Sequence, residues 1–198
     1  MNKRGIVVRA MWALLLVGVM SGLLMVGVTA LFTDQATNSA NAFTAGTLDL
    51  NISPVTAMFT VSPMAPGDVS YKGLEVTNAG NLAQRYAMST TPDGGSILDE
   101  QLDLTIDVVT AAGADTFWYT ADDVVGTANI YGPDGVLSTA VIGSPAQGAQ
   151  AGDRTLAAGG SDRLRFKVAL PLTTGNGYQG TTATVAFVFD AEQTANNP

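Results

Sequence analysis

The sequence predicts an all-β fold, a jelly-roll-like antiparallel β-sandwich, preceded by an apolar N-terminal signal helix. Beyond residue 30, apolar and polar residues alternate with a period of two, as in strands with one buried and one wet face. Clusters of Gly, Pro, Asn and Asp separate these runs and supply the turns. Helical periodicity is nearly absent from the same stretch, which leaves sheet packed on sheet as the way to bury the apolar faces.

The first thirty residues read differently. Lys3, Arg4 and Arg9 form a positive start, and no further charge appears until Asp34. The intervening residues 10–30 are apolar, and Val28-Thr29-Ala30 sets compact side chains where a signal peptidase grips. The expected cut therefore lies between Ala30 and Leu31, with a signal peptidase as a partner during export to the cell surface or the medium. About 20 apolar residues also suffice to span a bilayer, so a retained anchor is the alternative. In either case membrane contact is expected only through the uncut segment.

Residues 31–198 are expected to form one domain. Leu48, Leu50 and Ile52 alternate with Asp49 and Asn51; Ala57, Phe59 and Val61 make a second run, ended by a Pro/Gly-rich turn. Leu74 and Val76 lead to a turn over residues 78–81, and Leu82, Tyr86 and Met88 begin the strand that stops at Pro92. A short helical turn with Ser96 as N-cap is predicted over residues 96–101. Leu102, Leu104, Ile106 and Val108 then alternate with Asp103, Thr105 and Asp107. Residues 111–160 read as an insertion-like elaboration, with Phe117-Trp118-Tyr119, a turn at Pro133-Asp134-Gly135, a strand over residues 136–142 and a Gly/Ala/Gln loop over 143–153. The strand over residues 161–170 points Leu164, Phe166, Val168 and Leu170 inward and Arg163, Arg165 and Lys167 outward. Residues 181–190 repeat the pattern with Ala183, Val185, Phe187 and Phe189, after a turn at Gly175-Asn176-Gly177.

Composition excludes several functions. The chain has no His and no Cys, so Ser-His-Asp and Cys-His devices, the HExxH zinc site and Cys/His zinc sites cannot be built. No phosphate-binding Gly-rich loop is present, and no cofactor is expected. Six cationic side chains face 17 acidic ones after residue 30, a net charge of −11 that repels phosphate backbones and excludes nucleic acid as a partner. Paired carboxylates remain as the only conceivable chemistry, with Asp99, Glu100, Asp103, Asp107, Asp122 and Asp123 as candidates. Solvated strand faces account for them more simply, and their spacing does not match a DxDxDG-type calcium loop. No catalytic or metal residue is expected. The Phe117-Trp118-Tyr119 cluster fits core or interface packing, or carbohydrate stacking as a monomeric surface-binding module.

Several segments together resemble the TasA/camelysin family of exported biofilm-matrix proteins. Ala30-Leu31-Phe32-Thr33-Asp34 is similar to the family's A-x-F-x-D junction, and residues 43–50, FTAGTLDL, to its F-x-A-G-T-L-D-L signature. Pro66-Gly67-Asp68 and Asn78-Ala79-Gly80-Asn81-Leu82 are similar to its P-G-D and N-x-G-x-L turns. Tyr178-Gln179-Gly180 and the closing run over residues 187–193 are also similar. The resemblance covers residues 1–90 and 161–193. It implies a jelly roll, processing by a SipW-like signal peptidase, and assembly into extracellular fibres with copies of itself or a second matrix protein. The camelysin-type protease activity of some members is not carried over, since no histidine is available.

The resemblance further implies that residues 31–43 complete the sheet of a neighbouring copy. Their composition permits it: one charge (Asp34) and no Pro or Gly, with Leu31 and Phe32 as anchors and Phe32, Ala36, Ala40 and Ala42 on one side of an extended chain. A strand folded into its own sheet is the alternative. Arg163, Arg165 and Lys167, with Arg154 nearby, are candidate subunit-contact charges on an otherwise acidic surface; a solvated face that discourages edge aggregation is the alternative.

Overall fold

The structure, a computed structural model, describes residues 7–9, 11–14, 45–55 and 64–197. The chain divides into two compact units, Met1–Thr44 and Ala45–Pro198. In the first, residues 7–9 and 11–14 are helical. Among the described residues no helix is long and apolar enough to cross a membrane. The run at Ala57, Phe59 and Val61, the cut between Ala30 and Leu31, and the segment containing Leu31, Phe32, Ala36, Ala40 and Ala42 lie outside the described residues.

The second unit is an all-β sandwich, with nine strands in two antiparallel sheets among its described residues. In chain order these are β1 (Leu50–Ser53), β2 (Val69–Asn78), β3 (Gln84–Pro92), β4 (Asp103–Ala111), β5 (Val124–Val136), β6 (Val141–Ile142), β7 (Arg154–Leu156), β8 (Ser161–Ala169) and β9 (Val185–Gln193). The larger sheet runs β1-β2-β8-β4-β5. In the smaller one β3 is central, with β6 and β7 along one side and β9 paired to it from Gln84↔Gln193 to Pro92↔Val185.

Period-two alternation fixes which side of each strand meets the core, because a one-residue slip would turn every apolar group outward. Leu164, Phe166 and Val168 of β8, Leu104 and Ile106 of β4, and Leu74 and Val76 of β2 are buried on one face. Tyr86 and Met88 of β3 meet them from the other sheet. The sheets interlock through the rings of Phe166 and Phe187, edge-on at 5.0 Å, and of Tyr86 and Phe189 at 6.1 Å. Polar contacts also span them: the Tyr86 hydroxyl donates to Asp162 Oδ2 at 2.8 Å, and Arg154 Nε donates to the same oxygen at 3.0 Å. Burial and the adjacent Asp162 carboxylate push the Tyr86 phenol far above its ordinary value, so it remains a donor.

The turn over residues 78–81 is built by one amide. Fully buried Asn78 donates from Nδ2 to the carbonyls of Leu82, Leu156 and Ala157, and its Oδ1 accepts from Gly80 N–H at 3.0 Å. It therefore ties the β2–β3 turn to β7. At Gly80 a Cβ would lie 2.4 Å from the Thr47 carbonyl oxygen, so the residue-47 backbone requires glycine there.

Several sequence expectations need correction. Residues 96–101 do not extend into a helix but make the single turn expected, with Leu102 N–H donating to the Leu98 carbonyl and Leu98 N–H to the Ser96 hydroxyl at 3.0 Å. The predicted 136–142 strand is broken by a 3₁₀ turn, Leu137–Thr139, and Pro133-Asp134-Gly135 lies inside β5, whose pairing with β4 shifts register four times. The last strand begins at Val185, not at residue 181. The Gly175-Asn176-Gly177 turn is a 3₁₀ turn, and the left-handed glycine near it is Gly180.

Candidate functional site

The region after β4 is not a separate appendage. It supplies two chain segments that fold over the outer faces of the sheets, each held down by an arginine. The first is the strap over residues 112–123, on the larger sheet. Arg165, expected on a wet face, is only 7% exposed, and Asp107 beside it is 6% exposed. Arg165 Nη2 donates to Asp107 Oδ2 at 2.8 Å, while Nη1 donates to the strap carbonyls of Thr120 and Ala121 at 2.8 and 3.3 Å. The expectation of solvated side chains at Arg165 and Asp107 is thus overturned: the strap covers them and they pair with each other, while Arg165 Nε has no acceptor among the described residues. The second oxygen of Asp107 accepts from Asn129 N–H at 2.8 Å, which anchors β5 as well.

The strap has its own internal frame. Asp115 Oδ1 accepts from Phe117 N–H at 2.9 Å, Asp122 Oδ2 from Asp115 N–H at 3.2 Å, and Asp123 Oδ2 from Thr120 N–H at 3.0 Å. The Thr120 hydroxyl donates to Asp122 Oδ1 at 2.8 Å; this bond and the Asp115 N–H hold the Asp122 carboxyl below its usual range. Thr116 and Tyr119 adopt left-handed backbone conformations (φ 63° and 67°), unusual for side chains of this size. Tyr119 lies flat against β2, where a Cβ added at Gly73 would fall 1.8 Å from its ring. Trp118 covers Arg163, whose guanidinium carbon sits 4.7 Å from the ring centre, and Arg163 also pairs with Glu75 at 3.3 Å. Phe117 is left 69% exposed and Trp118 38% exposed. Core packing, expected for this cluster, is not what the structure shows: Tyr119 is half-buried on the outer face of β2, and Phe117 and Trp118 are exposed.

The second segment, residues 143–153, closes over the smaller sheet. Arg85 Nε donates to Glu192 Oε1 at 2.5 Å and lies 4.0 Å from Asp153. Glu192 in turn accepts from Gly148 N–H at 3.0 Å and Asn197 Nδ2 at 2.7 Å; Asp153 accepts from Ser144 and Gln150 N–H. The Arg85 bond, aided by Asn197 and Gly148, holds the Glu192 carboxyl below its ordinary value. Loop, strand and C-terminal residues meet at one guanidinium. A small cavity of about 40 Å³ lies here between residues 144–146 and the β3–β9 pair.

Two other features bear on function. Lys167 keeps a long 3.4 Å contact with the exposed Asp134, so it and Arg163 remain partly open while Arg165 is closed off. Asp99 is buried beside the core, Glu100 is exposed, and Asp103 is pushed up by burial and by Asp134. The other candidate carboxylates have partners within the fold: Asp107 pairs with Arg165, and Asp122 and Asp123 accept from the strap's own N–H and hydroxyl groups. The other feature is β9. Among the described residues it pairs with β3 alone, so its second edge carries unmatched main-chain groups. Along it Val185, Phe187, Phe189 and Ala191 are half-buried, and Val188 is 40% exposed. Sequence alternation gave the inward face of this strand but not its position at an edge.

Over residues 6–93, somewhat less than half of its length, the chain matches the model of the camelysin metallo-endopeptidase family, which includes TasA-like proteins. The match ends just past β3; both straps lie beyond it. No curated protein matches the chain. The family's description implies a metal, and the residues do not fit one: the sequence has neither His nor Cys, and among the described residues no three acidic groups are placed to share an ion.

Proposed function

We propose that this chain is an exported structural subunit that polymerises into fibres in the extracellular matrix or at the cell surface. In this reading a signal peptidase cuts between Ala30 and Leu31, residues 31–43 of one copy add to the β9 edge of the next, and the chain performs no catalysis. The second edge of β9 carries the proposal: among the described residues its nine residues have no pairing partner on that side, and half-buried Phe187 and Phe189 lie along it. Such an edge accepts an extended segment through main-chain bonds and through pockets for alternate side chains. The family of residues 6–93 is consistent with an exported protein of this kind.

Eight main-chain bonds at about 0.5–1.5 kcal/mol each, with two buried anchors at about 1.5–3, amount to roughly 10 kcal/mol before ordering costs. That is enough to hold a filament. The contact is head-to-tail and need not close on itself, so it generates a fibre rather than a ring. Electron microscopy of the processed protein tests this. Deleting residues 31–36 should leave a folded monomer, and a peptide of residues 31–43 in excess should block growth of the intact chain. Fibres from the deletion variant would show that another contact drives assembly.

A further inference from the structure

We propose that the strap over residues 112–123 is a binding platform for neutral glycans, with Phe117 and Trp118 stacking on the apolar face of a sugar ring. The strap holds two adjacent aromatic side chains in solvent, 69% and 38% exposed, where burial would have been the favourable outcome. It does so with a rigid frame. Asp115 and Asp122 fix the strap to itself, Arg165 holds its carbonyls from below, and Arg163 supports one face of Trp118. Two left-handed residues, Thr116 and Tyr119, flank the exposed pair. Rings fixed before binding lose little freedom when a ligand arrives.

Charge selects the occupant. Asp115 and Asp122 lie exposed at the rim, and residues 31–198 carry a net charge of −11. A second copy placing its own strap here would bring like charges together, and an anionic lipid or polysaccharide would be repelled. A neutral pyranose meets no such penalty. Its C–H face stacks on the rings, and its hydroxyls can donate to rim carboxylate oxygens, each of which has lone pairs beyond those already engaged. This platform is independent of residues 31–43 and of fibre formation.

The chain contains two tryptophans, Trp12 and Trp118, so the Trp12→Phe variant reports on the strap alone. The full chain in detergent micelles, carrying that change, is titrated with dextran and with soluble chitin oligomers, with alginate as the anionic control. At least one neutral glycan should shift the emission saturably while alginate does not. Phe117→Ala, a change at an exposed side chain, should weaken that response about tenfold without altering the unfolding temperature. Retention of Trp118→Ala on insoluble chitin and cellulose should fall in step. The proposal is overturned if neither neutral glycan shifts the emission, if alginate binds as well, or if the emission changes only with protein concentration, which would make the strap a contact between copies.

Discussion

Replacing Arg165 by Leu should destabilise the sandwich far more than the same change at Arg163, two residues away on the same strand face. The two arginines are alike in sequence context but not in surroundings. The Arg165 and Asp107 side chains are each 9% exposed, whereas the Arg163–Glu75 pair is 40% and 34% exposed. Removing one partner of a buried pair leaves the other charge stranded, at a cost of about 3–5 kcal/mol. An exposed pair contributes about 0–1 kcal/mol, and the Trp118 contact to Arg163 adds about 0.5–1. The expected gap between the variants is therefore about 2–4 kcal/mol, read as the difference in urea unfolding free energy followed by far-ultraviolet circular dichroism. Adding Asp107→Asn to Arg165→Leu removes the stranded charge while keeping an oxygen for Asn129 N–H, and should recover much of the loss. Equal, small costs for Arg165→Leu and Arg163→Leu would refute the reasoning, because they would mean that water reaches Arg165 beneath the strap.

The strap and the loop give two further tests. Gly73→Ala places a methyl where the Tyr119 ring now lies, so it should lift the strap and redshift Trp118 emission in the Trp12→Phe background while β2 stays paired; unchanged emission would count against the packing. Because the folded-state pKa of Glu192 is depressed, its contribution is present above the ordinary carboxylate value of about 4.3 and is lost as pH falls through the lowered one. Glu192→Gln should therefore flatten the acid limb of a stability–pH curve, and an unaltered limb would show that the Arg85 clamp is not coupled to folding.

Much of the sandwich was legible because alternation is a local property. The inward residues of β2, β4 and β8 follow from a count of two along the chain, and their burial agrees with it. What was not legible depends on segments distant in sequence. Nothing in the pattern Arg163-Leu164-Arg165 distinguishes a wet arginine from a covered one; the difference is a strap that starts some fifty residues earlier. A usable signal was present in the Phe117-Trp118-Tyr119 run followed by Asp122-Asp123, since one aromatic ring on a glycine of a neighbouring strand is a common way to seat a loop. The irregular pairing of β5 was unreadable for a related reason. Bulges at Asn129 and Asp134, both left-handed (φ 52°), break the period of two on which the reading relied.

The arginine clamps have an effect beyond holding loops. Among the described residues, five of the six lysines and arginines after residue 30 are matched to carboxylates of their own chain, and Lys72 alone has no such match. Already matched within the chain, these five cations leave most of the remaining carboxylates without a counter-charge, so an approaching copy meets a predominantly anionic exterior. Dissolved salt or divalent ions would quiet that mutual repulsion, and crowding of such molecules into a dense array should become easier as ionic strength rises.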